Sequence, residues 1–111
     1  MTIHRVDWSA TEWKELRSGA QQKAFSGGGA TVALLRLMPW QKPEPHSHPH
    51  EQSAYIREGR MRFHIEDEVV DLGPGGLVVI PGGVTHWSEV LGDEPVLSLG
   101  IFTPKRPEYA P

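Results

Sequence analysis

A chain of 111 residues with 38% hydrophobic and 23% charged residues has the composition of one ordinary folded domain, which we expect over residues 1–111. Its net charge of −3 argues against a nucleic-acid partner, because such binding requires positive charge to neutralise phosphates. The sequence has no cysteine, so disulfides and thiolate metal ligands are excluded. Since no apolar run reaches the roughly 20 residues of a membrane span and no signal-peptide core follows Met1, we expect a cytoplasmic protein without a membrane partner.

The N-terminal segment predicts an edge strand followed by one short helical turn. The apolar residues among residues 1–8 suggest the strand. The next four residues, Ser9 to Glu12, have the pattern of a capping box, and Gly19 can end the turn. We therefore expect at most one short helical turn in the whole chain.

The rest of the chain predicts short strands separated by glycine and proline turns. The strand at residues 31–38 is apolar on both faces except at Arg36, so we expect it at the centre of a sheet. The short strand at 77–80 should be buried, and the tail at 104–111 should lie over the surface. The predicted strands are 21–25, 31–38, 53–58, 60–65, 68–72, 77–80, 86–90 and 96–102. This succession indicates an all-β barrel or sandwich.

Three histidines lie close together in a proline-rich loop, at His46, His48 and His50, and Gln52 follows them. Imidazole is the commonest protein ligand of several divalent metals. In an extended segment, residues two apart face the same side about 7 Å from each other, so His46 and His48 can converge on one ion. Gln52 can join them only if the chain bends, and Pro49 is a plausible position for the bend. A solvated histidine-rich loop is the alternative explanation of this stretch alone.

The order and spacing of two segments resemble the cupin family. The first segment, residues 46–59, reads His46-x-His48, three residues, Gln52, six residues, Gly59. The second, residues 75–90, reads Gly75, five residues, Pro81-x-Gly83, two residues, His86, three residues, Val90. The resemblance favours a metal site over a solvated loop. It implies a small antiparallel jelly-roll β-barrel with one divalent ion, of Mn, Fe, Ni, Co or Zn, held by His46, His48, Gln52 and His86.

The sequence departs from the cupin pattern at Gln52, where glutamate is usual, and also at Trp40 and Val90. Three neutral histidines and a neutral amide would leave the charge of a divalent ion uncompensated. We expect stronger Lewis acidity toward an anionic substrate and weaker retention of the metal.

The C-terminal residues narrow the resemblance to the small cupins of pectin degradation, which open the ring of unsaturated uronate sugars. The segment Phe102-Thr103-Pro104-x-Arg106-Pro107-x-Tyr109 carries this likeness. It implies that Phe102 and Arg106 act in catalysis, as a pocket wall and as a guanidinium that binds a substrate carboxylate. These relatives carry an acid two residues before the phenylalanine, where this chain has Gly100.

Three classes of function therefore stay open: a metal-dependent isomerase or lyase acting on a small carboxylate-bearing sugar acid, an Fe(II) oxygenase, and a ligand-binding barrel without turnover. Resembling cupins commonly form homodimers, and Trp8, Trp13 and Trp87 offer apolar surface for one. Because Trp87 follows His86 directly, its side chain should point away from the metal ligands. His50 is either an alternative ligand or an exposed histidine beside the site.

Overall fold

The computed structural model describes residues 1–110, in which a 3-10 turn, Trp8–Ala10, precedes nine β-strands. The strands are β1 (Lys14–Arg17), β2 (Ala20–Ser26), β3 (Thr31–Leu37), β4 (Glu51–Glu58), β5 (Arg60–Ile65), β6 (Glu68–Leu72), β7 (Leu77–Ile80), β8 (His86–Leu91) and β9 (Val96–Thr103). No helix long and apolar enough to cross a membrane occurs in this part of the chain.

The strands form two antiparallel sheets. The larger sheet has six strands in the order β1-β2-β3-β9-β4-β7, and the smaller has three in the order β6-β5-β8. The prediction of an all-β antiparallel jelly roll is therefore confirmed. So is the central position of the strand at Thr31–Leu37, which lies between β2 and β9.

Both sheets contribute apolar side chains to one core between them. Met61 and Phe63, on one face of β5, are buried against residues of the larger sheet such as Leu37 and Ile56. The strict alternation of apolar and polar residues in β5 thus identified the inward face correctly. Burial of this shared apolar surface is the main force that holds the two sheets together.

Three expectations about secondary structure are wrong. Residues 1–7 form no strand, and the helical turn covers only Trp8–Ala10, where the Asp7 carboxylate accepts a hydrogen bond from the Ser9 amide. The residues after it form the edge strand β1 instead of a helix, since pairing with β2 satisfies their backbone groups. Strand β7 is an edge strand rather than a buried one, and its outward side chains Leu77 and Val79 are 59% and 50% exposed.

The register of the larger sheet aligns its inward-facing residues in rows across β2, β3, β9 and β4. The mouth row is Ser26, Thr31, Phe102 and Gln52; the small row is Ala24, Ala33, Gly100 and Ala54; the inner row is Gln22, Leu35, Ser98 and Ile56. Neighbouring rows lie about 7 Å apart along the strands. The small row, between the other two, consists only of alanine and glycine.

Candidate metal centre

The loop that carries the first histidines is fixed to β8 by an isolated bridge. The His46 amide donates to the His86 carbonyl over 3.0 Å, and the His86 amide donates to the His46 carbonyl over 2.9 Å. Two histidines that are 40 residues apart in the sequence are therefore directly opposite each other.

A glycine allows this loop to approach the segment before β8 closely. A Cβ atom at Gly82 would lie 2.3 Å from the Pro49 carbonyl oxygen, so only glycine fits there. The next residue, Gly83, has φ +83°, and its amide donates to the His48 carbonyl over 2.8 Å. The Pro81-Gly82-Gly83 segment thus positions the loop, and the chain bends at Pro49 and His50 before β4 begins.

Hydrogen bonds to backbone carbonyls fix the tautomer of all three facing histidines. The Nδ1 atoms of His46, His48 and His86 lie 2.9, 3.0 and 3.0 Å from the carbonyl oxygens of Glu44, His50 and Val84. A carbonyl oxygen only accepts, so each Nδ1 carries the proton. In the neutral ring each Nε2 then keeps a free lone pair, an arrangement typical of metal-ligating histidines.

The ring nitrogens of His46, His48 and His86 converge: one ligand atom from each lies within 4.8 Å of the others. The Nε2 of His86 is buried without a hydrogen-bond partner among the described residues. The Nε2 of His48 lies 3.1 Å from Oε1 of Gln52, where an acceptor faces an acceptor. Lone pairs that converge in this way fit a cation between them, so this group of residues fits a divalent metal ion.

Burial favours the neutral, metal-binding form of two of these rings, His86 and His48. It lowers the pKa of His86, and it lowers the pKa of His48, where the nearby Arg106 guanidinium acts in the same direction. Arg106 therefore contributes positive charge to the same site.

A cavity of about 80 Å³ opens beside the histidines. Its polar lining includes His46, His86 and Gln52, together with the cationic side chains Arg17 and Arg106. Among the described residues that line it, none is an aspartate or a glutamate. The cavity is therefore electropositive and suited to an anionic ligand.

The tail after β9 positions Arg106 at the mouth of this cavity. The Arg106 side chain is 14% exposed, and its guanidinium stacks 3.9 Å from the Tyr109 ring centroid and 5.1 Å from that of Phe102. Phe102 is itself buried with its ring centroid 5.7 Å from that of His48. Phe102 and Arg106, which the resemblance implied as a pocket wall and a carboxylate-binding guanidinium, thus lie close to the histidines.

A family model described as a cupin domain matches residues 33–102. The chain belongs to the cupin domain family. No curated protein matches the sequence.

Solved structures with the cupin fold superpose closely on this chain. KdgF from Halomonas sp. is 24% identical with a TM-score of 0.82, over 90% of this chain and 94% of its own. An RmlC-like cupin from Shewanella frigidimarina is 18% identical with a TM-score of 0.86, over 98% of this chain and 97% of its own. Bacillus subtilis oxalate decarboxylase, in a structure concerned with its Mn(II) centres, is 24% identical with a TM-score of 0.77 over 94% of this chain but 30% of its own. These likenesses show a common fold.

In this cupin, His50 is buried rather than exposed, with 8% of its surface accessible. It is not part of the converging group, but its carbonyl accepts the hydrogen bond from His48 and its ring centroid lies 5.5 Å from that of His48. The expectation of an exposed histidine is wrong because the bend at Pro49 turns the ring inward. The neighbouring Glu51 is exposed and lies outside the group.

Gly100 of this cupin lies in the small row and lines the cavity. A Cβ atom there would be 3.5 Å from the Phe102 ring and 3.8 Å from the Ala33 carbonyl oxygen, which is ordinary contact. A Cβ atom therefore fits at this position, so packing does not require glycine there. What glycine changes is that the position carries no acid.

Trp87 points away from the histidines, as expected for the residue after His86. Its ring stacks on His64 with centroids 3.7 Å apart, and His64 is hydrogen-bonded to Glu89 on the outer face of the smaller sheet. Trp13 lies between the cations of Lys23 and Arg36. Trp13 and Trp87 therefore each contact polar side chains of the same chain.

Sequence reasoning missed four polar residues that line the cavity, namely Gln22, Arg17, Ser88 and Ser98. Only the alternation of side chains along β2 could have indicated Gln22. It lies on the inward side of the strand with Ala20, Ala24 and Ser26, where an apolar residue is usual.

Proposed function

We propose that this cupin is a metal-dependent enzyme that isomerises, or opens the ring of, a small carboxylate-bearing sugar acid. The observation that carries the proposal is the convergence of three histidine nitrogens beside an electropositive cavity whose mouth holds Arg106. A site of this kind can hold a substrate anion and polarise one of its oxygens.

In this proposal His46, His48, Gln52 and His86 hold one divalent ion of Mn, Fe, Ni, Co or Zn. When bound, the ion supplies a Lewis acid that polarises a carbonyl or hydroxyl oxygen of the substrate. The backbone acceptors of the three Nδ1 protons hold the rings in place. Gln52 contributes a neutral oxygen, so the site keeps the full charge of the ion for the substrate.

Arg106 binds the substrate carboxylate, and Phe102 forms the adjoining wall. A guanidinium stacked on an aromatic ring is held in one orientation, which suits paired hydrogen bonds to a carboxylate. The Nε atom of Arg106 is engaged by Glu108 at 2.7 Å, which leaves the outer nitrogens for a ligand. The chain shares its fold with KdgF and with oxalate decarboxylase, the latter in a structure concerned with Mn(II) centres, and this shared fold supports the proposal of a metal-dependent role.

One observation favours a second candidate, a ligand-binding barrel without turnover. The cavity lining described here contains no carboxylate, and Gly100 stands where the pectin-degradation relatives carry an acid. In the enzyme, proton transfer would fall to Tyr109 or to a histidine. A binding protein would need no such group.

Elemental analysis of the purified native protein tests the metal, and turnover of a panel of saturated and unsaturated uronates followed by NMR tests the activity. We expect about one divalent ion per chain and conversion of at least one uronate. Metal without any conversion would favour the binding barrel, and a protein without metal would contradict both the enzyme and its site.

We also propose that the protein is a homodimer, on a surface other than the tryptophans. Neighbouring strands of the larger sheet carry exposed apolar side chains on their outer face, namely Tyr55, Leu77, Val79 and Ile101. An exposed apolar patch of this kind supports pairing with a second copy. Light scattering at micromolar concentration should give twice the 12.4 kDa chain mass, and Leu77→Lys should give a monomer.

A further inference from the structure

Gln22 is the most unusual polar residue of the interior. Only 2% of its surface is accessible, and neither Nε2 nor Oε1 has a hydrogen-bond partner among residues 1–110. Leaving both a donor and an acceptor of one buried amide unpaired is costly, and native proteins rarely do so without a functional reason.

A second buried amide, Gln41, shows what a structural glutamine looks like in the same fold. Its Oε1 accepts a hydrogen bond of 2.8 Å from Arg17, and its Nε2 donates to the Ser88 carbonyl over 3.0 Å. Gln41 is therefore fully engaged by the protein, whereas Gln22 is not.

Gln22 lines the same cavity as His46, His86 and Arg106. It lies in the inner row, two rows from the mouth row, so the strand backbones at the two rows are about 14 Å apart. The small row between them, which includes Ala33 and Gly100, keeps the intervening space open. Gln22 and the mouth residues therefore line one cavity from opposite ends.

We propose that Gln22 is a specificity-determining residue that hydrogen-bonds a hydroxyl group on the inner part of the substrate. A carboxamide offers one kind of acceptor and one kind of donor, and a hydroxyl group complements both. A carboxylate would leave Oε1 facing another acceptor, and an alkyl chain would leave the whole amide unpaired. The site thus selects a polyhydroxy acid, with its carboxylate at Arg106; this assignment rests on the proposed function, since Arg106 is taken to bind the carboxylate.

The test compares Gln22→Met with the matched control Gln41→Met, because methionine keeps the length of glutamine without its amide. Calorimetry measures binding of D-galacturonate, which is hydroxylated, and of hexanoate, which is not, to the Mn²⁺-loaded proteins. We expect Gln22→Met to weaken galacturonate binding by about tenfold and to leave hexanoate binding unchanged or stronger. The Gln41→Met protein should keep the wild-type preference for galacturonate over hexanoate.

Thermal unfolding of the ligand-free proteins gives a second readout, because the two substitutions should change Tm in opposite directions. Gln22→Met should raise Tm by about 4 °C because it removes an unpaired buried amide, whereas Gln41→Met should lower Tm because it breaks two hydrogen bonds. If Gln22→Met does not fold, Gln22→Asn serves instead, since it withdraws the amide by one carbon and should also weaken galacturonate binding selectively.

Equal loss of affinity for both ligands, unchanged galacturonate affinity, or failure of the wild type to prefer galacturonate would overturn the role of Gln22. The Mn²⁺ content of each sample is measured in parallel. A wild type without Mn²⁺ would contradict the proposed metal site, and the same comparison on the metal-free protein would still decide the role of Gln22.

Discussion

The hydroxyl oxygens of Ser26 and Thr31 lie 2.6 Å apart at the end of the β2–β3 hairpin, buried beneath the C-terminal tail. The Arg106 amide donates to the Thr31 hydroxyl over 2.7 Å, and the Ser26 hydroxyl donates to the Ala110 carbonyl. The Thr31 hydroxyl must then donate to Ser26, so one ordered chain of hydrogen bonds joins both ends of the tail to the sheet.

Thr31→Val should therefore loosen the tail and displace Arg106. Valine has the shape of threonine but cannot hydrogen-bond, so we expect a stability loss of about 1–3 kcal/mol and weaker binding of a carboxylate ligand. Metal content should not change. Urea unfolding and galacturonate calorimetry measure the two effects, with Thr31→Ser as the control that keeps the hydroxyl. Full carboxylate affinity in Thr31→Val would show that the tail does not depend on this chain of hydrogen bonds.

His86→Ala should remove the bound metal while the protein stays folded. The core consists of apolar residues of both sheets, such as Ile56 and Phe63, and does not depend on an ion. Elemental analysis measures the metal, and circular dichroism checks the fold. His4→Ala is the matched control, because His4 is exposed near the N-terminus. Full occupancy in His86→Ala would refute the assignment of this ligand.

Gln52→Glu should increase metal affinity by roughly tenfold or more, because a charged oxygen attracts a divalent cation more strongly than an amide does. An anionic ligand should bind less well beside the added charge. Competition with a chelator measures the first effect, and galacturonate calorimetry measures the second. If metal affinity does not change, position 52 does not contact the ion, and the buried His50 becomes the next candidate.

Acidification below about pH 6.5 should destabilise the metal-free protein. Burial lowers the pKa of both His48 and His86 in the folded state, so the unfolded chain binds more protons in this range. Stability therefore decreases as the pH falls below the ordinary histidine value. Metal occupancy should fall over the same range, because protons compete for the ring nitrogens. Thermal unfolding at several pH values measures the dependence, which should be flatter in the variant His48→Gln/His86→Gln.

Gly100→Asp should raise turnover of an unsaturated uronate, on the order of 10²-fold if the added carboxylate transfers a proton. The Cβ atom fits beside Phe102 without displacement, and the carboxylate would extend into the cavity. Gly100→Ala separates the effect of volume from that of the acid and should fold and bind metal as the wild type does. Equal activity in the two variants would show that an acid at this position has no catalytic role.

The sequence predicted those features that depend on local pattern. The alternation in β5 and the spacing of His46, His48 and His86 follow from the two-residue period of strands and from motif order, and the structure brings these histidines together. The strand at Lys14–Arg17 was missed because its backbone pairs with β2, which a capping pattern cannot indicate. Gln22 was missed because an unpaired amide is visible only once the cavity around it is known.

The row of alanine and glycine between the mouth and Gln22 separates the width of the cavity from the group of histidines, so that one can change without the other. Ala33 and Gly100 set the width of the passage, yet neither belongs to the group of histidines that converge. A single larger residue at Ala33 would shorten the space for a ligand without touching the loop that carries His46 and His48. The size of the ligand that this scaffold accepts can therefore change, one replacement at a time, while the group of three histidines stays the same.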